Sequence, residues 1–90
     1  MPSQKIKGHW CYLKVGDVEK NKPMHVHVEA SRGEMSFWIK KNGKKSEYRL
    51  ELKSIDGQVN DHERNTIERI VKDNVDLFVK WWKDEENKKK

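Results

Sequence analysis

A second cysteine is what this sequence most plainly lacks. With Cys11 alone, no intramolecular disulfide can form, which suits a reducing compartment. Cys11 itself, between Trp10 and Tyr12, reads as a small packed side chain rather than a nucleophile. Long apolar runs are missing too. Nothing approaches the roughly 20 residues of a membrane span, and the first residues carry no apolar stretch of signal-peptide type. The expectation is a cytoplasmic chain with no membrane partner. Hydrophobic residues make up only 33% against 39% charged, enough apolar material for one sheet face and one helix stripe. No cysteine cluster and no His-Glu-x-x-His helix occurs, and internal repeats are absent.

Ninety residues make a single domain, 1–90, with residues 1–7 and 86–90 expected to be loose. A chain this short buries about 60–65% of its unfolded surface. The four tryptophans therefore matter, since each ring can bury on the order of 200 Å². Help from a partner, or a homodimer contact, fits so thin a core. The net charge is +5, and the excess sits in residues 1–53, with 12 Lys/Arg and 6 Asp/Glu. A basic sheet suits either simple solubility or a polyanionic or acidic partner.

The stretch Lys22-Pro23-Met24-His25-Val26-His27-Val28-Glu29 organises the rest. Pro23 favours extended backbone around itself, and from Met24 the period is two. Met24, Val26 and Val28 would face a core, with His25, His27 and Glu29 on the other side. Successive imidazoles would have Cα atoms roughly 6.5–7 Å apart. Gly8 to Val15 alternates as an earlier strand, with Trp10 and Tyr12 on one face. Ser31-Arg32-Gly33 reads as a tight turn, with Gly33 free for positive φ. Glu34 to Lys40 alternates again, Met35, Phe37 and Ile39 against Ser36, Trp38 and Lys40. Asn42-Gly43 signals a hairpin into Tyr48, Leu50 and Leu52. Residues 54–59 read as short and irregular, with Asp56-Gly57 as a turn.

From Asn60 the period changes. Asn60 with Glu63 three residues on resembles a capping box. Ile67, Ile70, Val71, Phe78, Trp81 and Trp82 then follow helical spacing, with Asn74 and β-branched Val75 marking a kink or split. The fold class expected is α+β: an antiparallel meander of about four strands, with a C-terminal helix packed on one face. Val26, Val28, Phe37, Ile39, Leu50, Ile70, Phe78 and Trp82 should be buried.

Three chemistries compete for the polar face. Metal-independent cleavage of RNA needs a base, an acid and cations; His25, His27, Glu29 and Arg49 are the catalytic candidates. Metal binding needs at least three convergent ligands, and Glu29 lies too far along a flat strand to join His25. A third ligand would have to come from His9 or Glu47, so no metal residue and no cofactor is assigned. Binding without catalysis asks least. Lys40, Lys41, Lys44 and Lys45 around the hairpin, with Trp38 and Arg32, could hold nucleic acid by tracking phosphates and stacking bases. The same face could instead meet a small cognate protein.

Lys22-Pro23-x-His25-x-His27-Val28, with Ile70-Val71-x-x-Asn74-x-x-x-Phe78-x-x-x-Trp82 in the helix, resembles a family of small bacterial proteins classed as a domain of unknown function. The resemblance runs from about Trp10 to Trp82; the abundance of lysine departs from it. It implies a bacterial cytoplasmic protein whose gene often neighbours another small one, as in toxin–antitoxin pairs. It implies no activity and no catalytic residue.

Overall fold

The computed structural model describes residues 3–14, 23–42 and 47–88. Five strands form one antiparallel meander in chain order: β1 (Ser3–Ile6), β2 (His9–Tyr12), β3 (Met24–Glu29), β4 (Arg32–Asn42) and β5 (Glu47–Gln58). Two helices follow, α1 (Asp61–Asp73) and α2 (Val75–Lys88). The α+β class and the one-sided helical layer are as the periodicity demands. The fifth strand is the addition.

That strand comes from the supposed loose arm. Ser3–Ile6 pairs with His9–Tyr12 in a two-residue hairpin, and both turn residues have positive φ, Lys7 at 48° and Gly8 at 84°. This sign pattern matches the right-handed twist of the flanking strands, and Gly8 makes it cheap. An X-Gly pair with a non-Asx first residue is a weaker signal than Asn-Gly. The strand expected over Gly8–Val15 is thereby cut to His9–Tyr12; Val15 lies outside the described residues. So does Gly43, although Asn42 pairs with Glu47 where the hairpin was expected.

Gly33 closes the β3–β4 turn, its carbonyl accepting the Ala30 N–H at 2.8 Å, but positive φ is found at Gly8 and Gly57 and not at Gly33. It sits in β4 opposite Gly57, and a Cβ there would lie 2.3 Å from the Asp56 carbonyl oxygen. Its role is close backbone approach. Residues 54–58, read as irregular, continue β5 instead. The ladder pairs Phe37 with Leu52 but Ser36 with Ser54, leaving Lys53 as an extra residue. This bulge shifts the alternation by one, so Ile55 joins Leu50 and Leu52 on the face of Met35 and Phe37. Leu52 and Ile55 stay exposed at the outer strand.

The core lies on the valine face. Val26, Val28, Met35, Phe37, Ile39 and Cys11 pack with Ile67, Ile70, Val71, Phe78 and Trp82, all buried. Each such side chain removed from water is worth about 1.5–3 kcal/mol. Leu50, expected among them, is only half-buried, because β5 is an edge.

The Asn60 carboxamide oxygen accepts the Glu63 N–H at 2.8 Å and starts α1. Glu63 does not complete the box. Its carboxylate accepts from the Ser31 N–H at 2.9 Å and from the Ser31 hydroxyl at 3.2 Å, tying the helix start to the β3–β4 turn. At Asn74 the helix breaks: the side-chain amide donates to the Ile70 carbonyl at 2.8 Å, with φ −121° and ψ 19°. Asn74 competes with the backbone for a helical carbonyl. The Phe78 N–H then bonds the Asn74 carbonyl and α2 begins.

Candidate functional site

Cross-strand pairing turns the face opposite the valines into rows, since residues directly opposite share a face. The middle row reads Ser3, Tyr12, His27, Ser36 and Ser54. One pair further along, Lys5 faces Trp10, and Glu29, Glu34 and Asp56 line up on β3, β4 and β5. Extending the β2–β3 register by one pair sets Trp10 against Glu29; the His9 ring Nδ1, 2.9 Å from the Glu29 carbonyl oxygen, closes the strands there. On the other side of the middle row come His25, Trp38 and Glu51, then Lys40 and Arg49. The histidines and valines alternate as the period required.

What the period could not show is that the second face is itself packed. His25 is 8% exposed and His27 5%. Tyr12 stacks on the His27 ring at 5.3 Å, and the two imidazoles meet edge to face at 5.2 Å. Trp38 and Trp82 lie 5.5 and 5.4 Å from the His25 ring. Trp82 gets there because β2 pairs with β3 only at Val28 and His27. Among the described residues no strand covers Met24 to Val26 on that side, and α2 comes within 8 Å of β3 between Cα atoms. One ring of the terminal helix, Trp82, therefore reaches past the core side to the His25 imidazole.

The polar contacts resemble a hydrolytic relay in residue type only. The Ser36 hydroxyl is 3.0 Å from His27 Nδ1, and a Glu34 carboxylate oxygen is 3.6 Å from the same nitrogen. A Ser–His–acid relay needs the hydroxyl and the carboxylate on different ring nitrogens. Here both address Nδ1, and Ser36 is buried. Burial, with the Asp56 charge adding to it, holds the Glu34 carboxyl above its ordinary range, while Lys53 opposes the shift. Burial also pushes the Cys11 thiol up to about 11, so at neutral pH it is no thiolate nucleophile. No group of three or more His, Cys, Asp or Glu side chains converges as a metal-ligand set among the described residues.

Among the described residues, the cations expected to grip nucleic acid do not gather on one patch. Lys40 and Arg49 both pair with Glu51, at 2.7 and 2.6 Å. Those bonds, led by Lys40, hold the Glu51 carboxyl below its ordinary range. Lys41 alternates to the helix side, opposite Tyr48. Arg32 starts β4 eight residues before Lys40, roughly 26 Å away at strand rise. Trp38 is half-buried, with the Lys53 ammonium 5.3 Å over its ring. Lys44 and Lys45 lie outside the described residues. Glu29 is exposed, beside neither Arg32 nor Arg49 in the ladder.

Trp10 is the residue that the sequence reading undervalued. It is 45% exposed, and with Tyr12, Ser3 and Glu29 it lines an open groove of about 460 Å³. Alternation put it on the side of Tyr12, and the pairing of Tyr12 with His27 makes that the histidine side. Its exposure follows from lying in a hairpin of two four-residue strands at the sheet margin.

A family model described as a domain of unknown function (DUF4160) matches residues 8–83. No curated protein and no solved structure matches the chain. No described helix is long and apolar enough to cross a membrane.

Proposed function

The chain belongs to that domain-of-unknown-function family over residues 8–83, and from this premise we propose that it is a binding module, not a catalyst, that docks a small cognate protein in the cytoplasm through the Trp10 side of its second sheet face. The observation that carries the reading is the contrast between an exposed Trp10, 45%, and buried His25 and His27, 8% and 5%. Buried tryptophan anchors dominate protein interfaces, and an exposed ring beside a groove supplies one. Acid–base work on RNA would instead require substrate to reach two imidazoles packed among Tyr12, Trp38 and Trp82. Nucleic-acid binding is the weaker alternative, because Lys40 and Arg49 already share Glu51. An antitoxin-like role, in which docking silences the partner, is the physiological form of the proposal.

The test is co-expression with the product of a small gene found adjacent to this one, the arrangement that the family resemblance implies, followed by copurification. Trp10→Ala should cost at least about tenfold in affinity, as expected when a buried anchor worth 1–2 kcal/mol or more is truncated. RNA or DNA binding that weakens steeply with salt and ignores Trp10→Ala would move the function to nucleic acid.

A further inference from the structure

We infer that the Trp10 groove is a receptor for an arginine side chain carried by the docked protein. The inference rests on the docking reading above and names the partner's chemistry. Trp10 and Tyr12 are neighbours on one face of β2, and Glu29 closes the groove they line with Ser3. Continuing along the same row, Glu29 stands directly opposite Glu34 and Glu34 opposite Asp56. Like charges placed opposite one another across strands destabilise a sheet. Here three carboxylates do so in a chain of net charge +5. Neither Glu29 nor Asp56 forms an ion pair among the described residues. The local surface is thus an exposed indole beside an acidic row.

That combination fits one side chain best. A guanidinium stacks flat on an indole and forks onto a carboxylate in the same pose, and its three-carbon stem covers apolar surface. A purely apolar anchor would leave the carboxylates no better satisfied than water does, and an anion would be repelled. The direction of entry follows from Lys5, which faces Trp10 from β1. The cationic head must point away from β1, toward Glu29 and Glu34. Lys53 balances Glu34 only in part, since it also lies over Trp38.

The experiment uses the full chain, labelled with ¹⁵N, and the probe acetyl-Gly-Arg-Gly-amide titrated to about 20 mM, the range in which a single side-chain contact binds. Saturable shifts of the Trp10 indole N–H and the Glu29 amide are expected. The uncharged citrulline counterpart should bind at least about fivefold more weakly, as loss of one exposed ion pair plus a cation–π contact implies. Glu29→Gln, and separately Glu29→Gln with Glu34→Gln, should erase that preference while leaving shifts elsewhere unchanged. Equal binding of the two peptides, shifts mapping away from Trp10, or no saturable shift would overturn the assignment. With the cognate protein, capture lost on Trp10→Ala but indifferent to the Glu changes would keep the docking surface and reject arginine. Capture indifferent to Trp10→Ala would reject both.

Discussion

Cutting the His27 ring back to a methyl group separates a packed imidazole from a catalytic one. A solvent-facing catalytic histidine can be replaced by alanine with little effect on the fold. In this structure the ring is 5% exposed, stacks on Tyr12, meets His25 edge to face and approaches the buried Ser36 hydroxyl at 3.0 Å. Each aromatic pair is worth about 0.5–1.5 kcal/mol beyond burial. Leaving a buried hydroxyl without its partner costs about 1–3 kcal/mol. With the lost burial, and allowing for partial collapse of the cavity, His27→Ala should destabilise by about 3 kcal/mol. For a domain of this size that is a drop of roughly 12–24 °C in Tm, read by far-UV circular dichroism melts. His27→Phe keeps the stack and loses only the polar contact, so it should fall between His27→Ala and the parent. A melt for His27→Ala within about 2 °C of the parent, less than 0.5 kcal/mol, would refute the packed second face.

The remaining predictions concern Cys11 and Gly33. In the folded protein Cys11 should resist iodoacetamide and react readily in urea. Its raised pKa, about 11 against 9.0, also gives stability that is complete below pH 9 and is lost as pH rises toward 11, because only the unfolded chain releases the proton easily. A native alkylation rate equal to the unfolded one would show the thiol to be accessible. Gly33→Ala would force a Cβ to within 2.3 Å of the Asp56 carbonyl oxygen, in backbone that cannot move alone. Its urea midpoint should fall by an amount equivalent to about 2–3 kcal/mol at constant m. An unchanged midpoint would mean that the two glycines do not lie as close as the ladder places them.

The chain by itself determined which residues share a face. Alternation from Met24 to Glu29 put Val26 and Val28 inward and the imidazoles opposite, and helical spacing from Ile67 to Trp82 supplied the covering layer with its break at Asn74. These patterns are local and periodic, so they survive without knowledge of partners. Register was not local. Only the assembled sheet brings Ser36 to His27, lines up Glu29, Glu34 and Asp56, and inserts Lys53 so that Ile55 falls on the face of Met35 and Phe37. A bulge of one residue reverses every later side chain, and no residue type near Lys53 announces it. Nor could spacing show that Trp82 would pass the short β2 ladder to reach the His25 ring. Whether the second face was open or filled depended on that ring together with Tyr12 and Trp38. The imidazoles became interior, and Trp10, two residues before Tyr12 and beyond the reach of that packing, became surface.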